Sequence, residues 1–224
     1  MPANSVANLH TPELFERAYA SRTWRDYRWL VALCVRESDP GLIVDVGAGL
    51  GFFVEACGRY GLRCVGLEGS GYAVEAARQR YPMDMRQHLL ERPFPKDLEG
   101  AIVVVCNQTI EHLDWAVAEH VLREAHRTLR PGGLLVVTSP CYYNRQQRTE
   151  TTHINLYTPS RLRAAVLQAG FSRYIATDTP RPILGTGRVA RWVVRAAFRV
   201  WPADWLSDSA DCLAYKDEDQ CEKR

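Results

Sequence analysis

The chain has 224 residues, 46% hydrophobic and 24% charged, which is enough to bury the core of one domain without requiring a second. Its 28 Lys and Arg against 26 Asp and Glu leave a net charge of +2, which argues against a broad nucleic-acid-binding surface. No stretch of about 18 uncharged apolar residues occurs, and the first residues lack the regions of a signal peptide. We therefore expect a cytoplasmic protein.

The seven cysteines are scattered through the chain and form no C-x-x-C pair. This spacing indicates neither a zinc site nor a disulfide framework. We expect no metal, and we expect most of the cysteines to be small buried side chains.

Residues 1–40 precede the first predicted strand and are rich in aromatic side chains. Apolar residues recur at helical spacing from Thr11 onward, and Pro12 stands where proline is favoured, in a first helical turn. The segment predicts one or two helices packed across a ligand cleft.

Residues 42–51, LIVDVGAGLG, are the most informative stretch. An apolar run reaches the acid Asp45, after which glycines alternate at Gly47, Gly49 and Gly51. This pattern is typical of a buried strand that passes into a helix through a loop whose backbone can approach a ligand closely. Phe52 occupies the position of the third glycine in a dinucleotide fingerprint. The loop thus predicts a nucleotide-like cofactor and weighs against NAD.

The next predicted strand, over residues 62–67, ends in Glu68, 21 positions after Gly47. An acid at the tip of a second strand can accept hydrogen bonds from both ribose hydroxyls of a nucleotide, so Glu68 is predicted to bind ribose. Ser70 is a favoured helix cap, and helical spacing follows it as far as Arg80.

Strands and helices continue to alternate beyond this point. Residues 101–106 are continuous and β-branched, as in a strand covered on both faces. Residues 113–129 predict a helix that stops at Pro131 and Gly132, and residues 134–138 predict the following strand. The alternation predicts an α/β fold with a mostly parallel sheet, in which ligands lie beyond the carboxyl ends of the strands.

Four segments, in this order, resemble the successive motifs of class I S-adenosylmethionine-dependent methyltransferases of the small-molecule branch. They are VDVGAGLG at 44–51, VGLE at 65–68, IEHL at 110–113 and LRPGGLLVV at 129–137. The resemblance implies a Rossmann-like seven-stranded, mostly parallel sheet with helices on both faces and an antiparallel last strand. It also implies S-adenosylmethionine as the cofactor, S-adenosylhomocysteine as its product and a small-molecule acceptor.

The same resemblance implies one methyltransferase domain over residues 1–224. Its expected parts are a helical cover (1–40), a cofactor-binding core (41–177), a helical insert (180–208) and the last strand (209–216).

The resemblance carries cofactor binding onto Asp45, the three glycines and Glu68. The family usually has an acid before its adenine-binding turn, where this chain has His88 followed by Leu89. A neutral His88 ring can hydrogen-bond an exocyclic amine, and an ordinary turn histidine is the alternative. Asn107, just past the fourth strand, is a further candidate to bind cofactor or acceptor, unless it satisfies strand-end backbone.

His153 and His112 are the candidate catalytic residues. His153 stands between the fifth strand and the next helix, in a THINLYTP segment on the ligand side of the sheet. It is predicted to be a general base or a substrate ligand, or else to fix the loop to the helix cap. His112 follows Glu111 and is predicted either to act in catalysis or to support the cofactor loop.

Five residues are candidates to contact the acceptor: Tyr142, Tyr143 and Asn144 after the fifth strand, and Tyr19 and Trp24 from the N-terminal segment. For the N-terminal pair, ordinary core packing is the alternative.

Residues 187–201 predict an amphipathic helix with arginines along one face. Such a helix can rest weakly on an anionic membrane. The alternative is that its apolar side docks on its own domain.

Other functions fit the motifs less well. Nucleobase amino-methylation in this fold usually goes with an [NDS]-P-P-[YFW] turn, and residues 107–110 read NQTI instead. Cys141 occupies the position of an RNA cytosine methyltransferase nucleophile, but the companion Pro-Cys after the fourth strand is absent. The sequence therefore predicts methyl transfer to a hydroxyl of a sugar or secondary metabolite. A small-amine N-methyltransferase and a non-catalytic S-adenosylmethionine-binding subunit remain alternatives.

Overall fold

A computed structural model describes residues 11–177 and 204–218. The helices are α1 (Pro12–Tyr19), α2 (Arg28–Glu37), α3 (Phe52–Arg59), α4 (Gly71–Arg80), α5 (Trp115–Thr128) and α6 (Pro159–Gln168). The strands are β1 (Ile43–Val46), β2 (Cys64–Glu68), β3 (Asp84–Gln87), β4 (Ala101–Asn107), β5 (Leu129–Thr138), β6 (Arg173–Ala176) and β7 (Cys212–Tyr215). Short 3-10 turns include Trp24–Tyr27, Ile110–His112 and Gln147–Thr149.

The seven strands form one sheet in the order β3-β2-β1-β4-β5-β7-β6. Strands β1 to β5 pair in parallel, and β7 runs antiparallel to both β5 and β6. The predicted fold class and its antiparallel last strand are confirmed. The order reverses at the β1–β4 pair, and such switch points open a crevice at the carboxyl ends of the strands.

Both faces of the sheet are buried, as the β-branched run in β4 predicted. Val103 and Val105 pack on one face with residues of α2 and α3, whereas Val104 and Cys106 pack on the other with residues of α5 and α6. Alternate side chains of a strand point to opposite faces, so a strand covered on both sides is apolar throughout. The six described cysteines are buried, and no disulfide links any of them within the described residues.

The boundary between α5 and β5 differs from the prediction. The helix begins at Trp115, because the side chain of Asp114 accepts a hydrogen bond from Val117 N and caps it. It ends at Thr128, and β5 starts at Leu129. Pro131 and Gly132 therefore lie inside the strand, at a register shift in its pairing with β4, rather than between helix and strand.

The described part of the N-terminal segment contains α1, a 3-10 turn and α2. Tyr72 of α4 donates a hydrogen bond to Glu16 of α1 (2.9 Å), and Phe15 is only 4% exposed between Tyr19 and Tyr72. These contacts hold α1 across the carboxyl-terminal edge of the sheet.

Two predictions concern residues that are wholly or partly undescribed. The amphipathic helix predicted at 187–201 lies outside the described residues, and so does most of the predicted insert. In the described ranges 11–177 and 204–218, no helix is long and apolar enough to cross a membrane.

Candidate active site

The glycine loop follows β1 and turns the chain into α3. Gly47, Gly49 and Gly51 have φ angles of 71°, 52° and 69°, in the left-handed region that glycine tolerates best. The N–H groups of Gly47 and Ala48 donate to Leu67 O of β2 at 2.8 and 3.0 Å, which fixes the loop against the next strand. A Cβ at Gly49 would lie 2.6 Å from Tyr19 Oη, so close approach as well as backbone conformation requires glycine there.

Glu68 lies beside this loop at the end of β2. Its Oε2 accepts a hydrogen bond from Gly49 N (2.8 Å), and its Oε1 accepts one from Ser70 N (2.8 Å). The carboxylate is thereby held at the junction of the glycine loop and the α4 N-terminus. This is the position from which a carboxylate can accept hydrogen bonds from a nucleoside.

Asp45 is buried beneath the loop at 4% exposure. Burial raises the pKa of this carboxyl to about 8, and the negative charge of Glu68 raises it further in the same direction. Asp45 therefore favours its neutral form until a positive charge approaches.

A cavity of about 460 Å³ extends from this loop toward the segment after β5. This volume falls within the range of about 300–1,000 Å³ that is typical of small-molecule sites. One end is lined by Gly47, Gly49 and Glu68, and the other by Glu111, His112 and His153. A single cavity thus joins Gly47, Gly49 and Glu68 to both predicted catalytic histidines, whereas Asp45 and Gly51 do not line it.

Helix α1 forms one wall of this cavity. Tyr19 lines it and stands over Gly49, and Arg22 lies 5.4 Å from the centre of the Tyr19 ring. Trp24 lines neither this cavity nor a second one described below. Its indole instead packs edge-on against Tyr60 and lies 5.0 Å from the guanidinium of Arg59.

The two residues predicted to bind adenine, His88 and Leu89, lie in different surroundings. Leu89 lines the cavity. His88 turns toward Phe94, which it meets edge-on at 6.1 Å, and its Nε2 lies 3.4 Å from Arg92 O. Its geometry matches the turn-histidine alternative.

Asn107 and Asn144 lie at a second cavity, of about 980 Å³, on the other side of the β4 and β5 ends. Asn107 Oδ1 accepts a hydrogen bond from Thr138 Oγ1 at 2.6 Å, so it ties β4 to β5. Gln108, whose φ is 55°, borders both cavities. Tyr142 and Tyr143 are 45% and 37% exposed and pack edge-on against each other.

The two histidines lie next to each other with ring centres 4.9 Å apart. Nδ1 of His112 is 2.9 Å from Thr152 O, and Nδ1 of His153 is 3.0 Å from Gln147 O. Because a carbonyl oxygen only accepts, each Nδ1 carries the proton, and in the neutral ring Nε2 holds the lone pair.

Glu111 is the residue that sequence reasoning missed. It lies in the 3-10 turn after β4, is fully buried, and its two carboxylate oxygens make no hydrogen bond of good geometry among the described residues. Burial raises the pKa of this carboxyl to about 8. Its sequence signal was weak, because Glu111 lies in a turn beyond the end of β4 and its neighbour His153 stands 42 positions later.

Cys141, considered above as a nucleophile, is fully buried and lines neither cavity. Its Sγ lies 3.9 Å from Asp204 O.

Sequence comparison finds relatives over the cofactor-binding part of the chain. Residues 44–137 match the family described as a methyltransferase domain. A "Probable S-adenosylmethionine-dependent methyltransferase" of Mycolicibacterium smegmatis is 37% identical over 101 residues, 44% of this chain and 37% of that protein. A carboxy-S-adenosyl-L-methionine synthase of Trichodesmium erythraeum is 29% identical over 119 residues, 50% of this chain and 47% of that protein. The chain thus spans less than half the length of these relatives.

Structural comparison extends the similarity to nearly the whole chain. The crystal structure of a SAM-dependent methyltransferase from Archaeoglobus fulgidus matches with a TM-score of 0.66 over 92% of this chain and 100% of the other, at 15% identity. At this identity the match concerns the fold alone. Residues 44–137 are thus similar to the methyltransferase-domain family, and the chain shares its fold with a solved SAM-dependent methyltransferase.

Proposed function

We propose that this protein transfers a methyl group from S-adenosylmethionine to a small-molecule acceptor, at a hydroxyl of a sugar or secondary metabolite. The observation that carries the proposal is the shared cavity, in which the glycine loop and Glu68 lie at one end and His112 and His153 at the other. The donor would occupy the loop end, and the acceptor would enter at the histidine end.

The cofactor assignment depends on three features of the loop end. The glycine backbone can approach the aminoacyl part of the donor, Glu68 can accept from its ribose hydroxyls, and Leu89 offers an apolar contact for adenine. Asp45 lies beneath, where a positively charged donor would favour its ionised form.

In the reaction, an acceptor oxygen would attack the sulfonium methyl group, the carbon–sulfur bond would break and the thioether would leave. Alignment of two reactants can contribute about 7–11 kcal/mol, whereas a general base typically contributes about 10²- to 10⁴-fold in rate. We therefore expect positioning to dominate. His112 and His153 are the groups beside the acceptor that can hold its oxygen or receive its proton.

Further acceptor contacts are proposed on helix α1 and on the loop after β5, where Asn144 borders the second cavity. Tyr19 lines the cavity directly, whereas Tyr142, Tyr143 and Asn144 lie on the loop that follows β5. N-methylation of a small amine needs the same cavity and no base when the amine is neutral. We further propose that the protein acts in the cytoplasm, as its sequence predicts.

Calorimetric titration with S-adenosylhomocysteine tests cofactor binding. We expect one molecule to bind per chain, and Glu68→Ala to weaken binding about 10-fold or more, because loss of one or two hydrogen bonds to a charged group costs about 1.5–3 kcal/mol each. Glu75→Ala is the matched control, since Glu75 is exposed on α4 outside both cavities. Absence of binding by the folded wild-type protein would refute the proposal.

Turnover separates an enzyme from a non-catalytic binding subunit. Incubation with S-adenosylmethionine and a panel of small hydroxylated compounds and amines should release S-adenosylhomocysteine with the correct acceptor class. Binding of the donor without release for any compound would favour the subunit, and release with amines alone would favour N-methylation.

A further inference from the structure

We propose that Glu111, His112 and His153 form a binding site for a divalent transition-metal ion. One potential ligand atom from each of the three lies within 4.8 Å of the others. Two imidazoles and one carboxylate on one side of a cavity are a common donor set for such an ion.

The backbone holds the two contributing segments together. Glu111 O accepts hydrogen bonds from both Ile154 N (2.9 Å) and Asn155 N (3.0 Å), which joins the turn after β4 to the segment that carries His153. The two segments, although about 40 positions apart in sequence, are therefore joined by backbone hydrogen bonds beside the three ligand residues.

The two histidine rings are oriented as metal ligands usually are. Nδ1 of each ring donates to a backbone carbonyl oxygen, Thr152 O for His112 and Gln147 O for His153. Such outer contacts fix the tautomer in which Nε2 can coordinate, and they are the usual support of a metal-bound histidine.

Glu111 supplies the independent observation. Its carboxylate is fully buried, and neither oxygen makes a hydrogen bond of good geometry among the described residues, although the Ser139 hydroxyl lies near enough to offset part of the pKa increase that burial causes. A buried polar group without a partner is costly and calls for an explanation. A cation bound between Glu111 and the two rings satisfies these oxygens.

The donor set also selects the ion. Imidazole ligands favour ions such as Zn²⁺, Fe²⁺ and Ni²⁺ over Ca²⁺ and Mg²⁺, which prefer oxygen ligands. Ligand-to-metal distances of about 2.0–2.2 Å require donor atoms about 3–3.5 Å apart. Because the three ligand atoms now lie up to 4.8 Å apart, we expect small side-chain rotations to bring them closer when the ion binds.

Three protein ligands would leave coordination positions open, and all three residues line the cavity that they share with Glu68. On the proposed function, the open positions take an oxygen of the acceptor, and the ion lowers the pKa of that oxygen. Nε2 of His153 then coordinates the ion, and the proton of the acceptor hydroxyl passes to bulk water instead of to His153.

Binding of Co²⁺ to the chelator-treated full-length protein tests the site, because Co²⁺ gives visible absorption when imidazole coordinates it. We expect one Co²⁺ per chain. Loss of outer-shell support alone typically weakens metal affinity about 10- to 100-fold, so His153→Ala and Glu111→Gln should each weaken it at least that much. Competition by Zn²⁺ should abolish the absorption.

His126→Ala is the matched control, because His126 lies in the last turn of α5 and packs on Phe171, outside the cluster. Glu111→Gln keeps the side-chain shape, so it gives a result even where His153→Ala does not fold. Absence of stoichiometric Co²⁺, or equal affinity in the cluster variants and the control, overturns the proposal.

Titration of the same samples with S-adenosylhomocysteine separates this proposal from the proposed function. Cofactor binding without Co²⁺ binding rejects the metal site alone. Co²⁺ binding without cofactor binding rejects the methyl-donor assignment and leaves the metal site standing.

Discussion

Gly49 shows how a missing side chain shapes the cofactor end of the cavity. It combines a φ of 52° with an approach so close that an added Cβ would lie 2.6 Å from Tyr19 Oη. A larger residue at this position would displace the Tyr19 side chain from the loop and would strain the backbone. The same contact places Tyr19 at the wall of the cavity.

We expect Gly49→Ala to lower the free energy of unfolding more than Gly61→Ala does. Gly61 has a φ of 73° and no atom within 4 Å of an added Cβ, so its substitution costs only backbone strain, about 1–2 kcal/mol. Urea denaturation measures both variants. In a Tyr19→Phe background the penalty at Gly49 should shrink, because the nearest clashing atom is gone. An unchanged penalty in that background would show that the clash is not its cause.

Two helices beside the site, α4 and α5, begin at a polar N-cap residue. Asp114 caps α5 by accepting a hydrogen bond from Val117 N at 2.9 Å, immediately after the turn that carries Glu111 and His112. Ser70 caps α4 next to Glu68 in the same way, by accepting from Ala73 N. The Ser70 and Asp114 caps therefore fix the starts of α4 and α5 close behind Glu68 and the Ile110–His112 turn.

We expect Asp114→Ala to lower the free energy of unfolding by about 1 kcal/mol, the usual cost of losing an N-cap. Asp114→Asn should retain most of the stability, since asparagine caps as well as aspartate does. Glu119→Ala, which removes an exposed ion pair to Arg123 on the same helix, should have a smaller effect. Equal losses for Asn and Ala at position 114 in urea denaturation would contradict the capping role.

Stability of the complete fold should depend on pH through Asp45. Burial and the Glu68 charge raise the pKa of this carboxyl to about 8, from an ordinary value of about 3.9. Between these values the folded protein binds more protons at Asp45 than the unfolded chain does. Its contribution to stability is therefore fully present below about pH 4 and is lost as the pH rises through about 8.

We expect wild type to lose more stability than Asp45→Asn between about pH 5 and pH 8, with a difference in slope of up to about 1.4 kcal/mol per pH unit. Asparagine keeps the shape of the side chain and does not titrate. Urea denaturation at several pH values measures both proteins. Parallel pH profiles for the two would contradict the buried, proton-binding state of Asp45.

Local patterns determined most of the architecture. The apolar runs of β1 and β4, the Ser70 cap of α4 and the alternating glycines are each signals within about ten consecutive residues, and each appears in the structure as predicted. Glu68 lies beside the glycine loop because strands adjacent in the chain pair in parallel and end at the same edge. The α5–β5 boundary was wrong, because Pro131 and Gly132 are accommodated at a register shift that only strand pairing reveals.

Tertiary structure alone decided the arrangement at the acceptor end. The sequence named His112 and His153 separately, but their meeting with Glu111 depends on hydrogen bonds between the turn after β4 and the segment after β5. It likewise decided that Tyr19 faces the cavity while Trp24 packs against Tyr60. Periodicity and turn chemistry act over a few neighbouring residues, whereas contacts between distant segments depend on how whole elements pack.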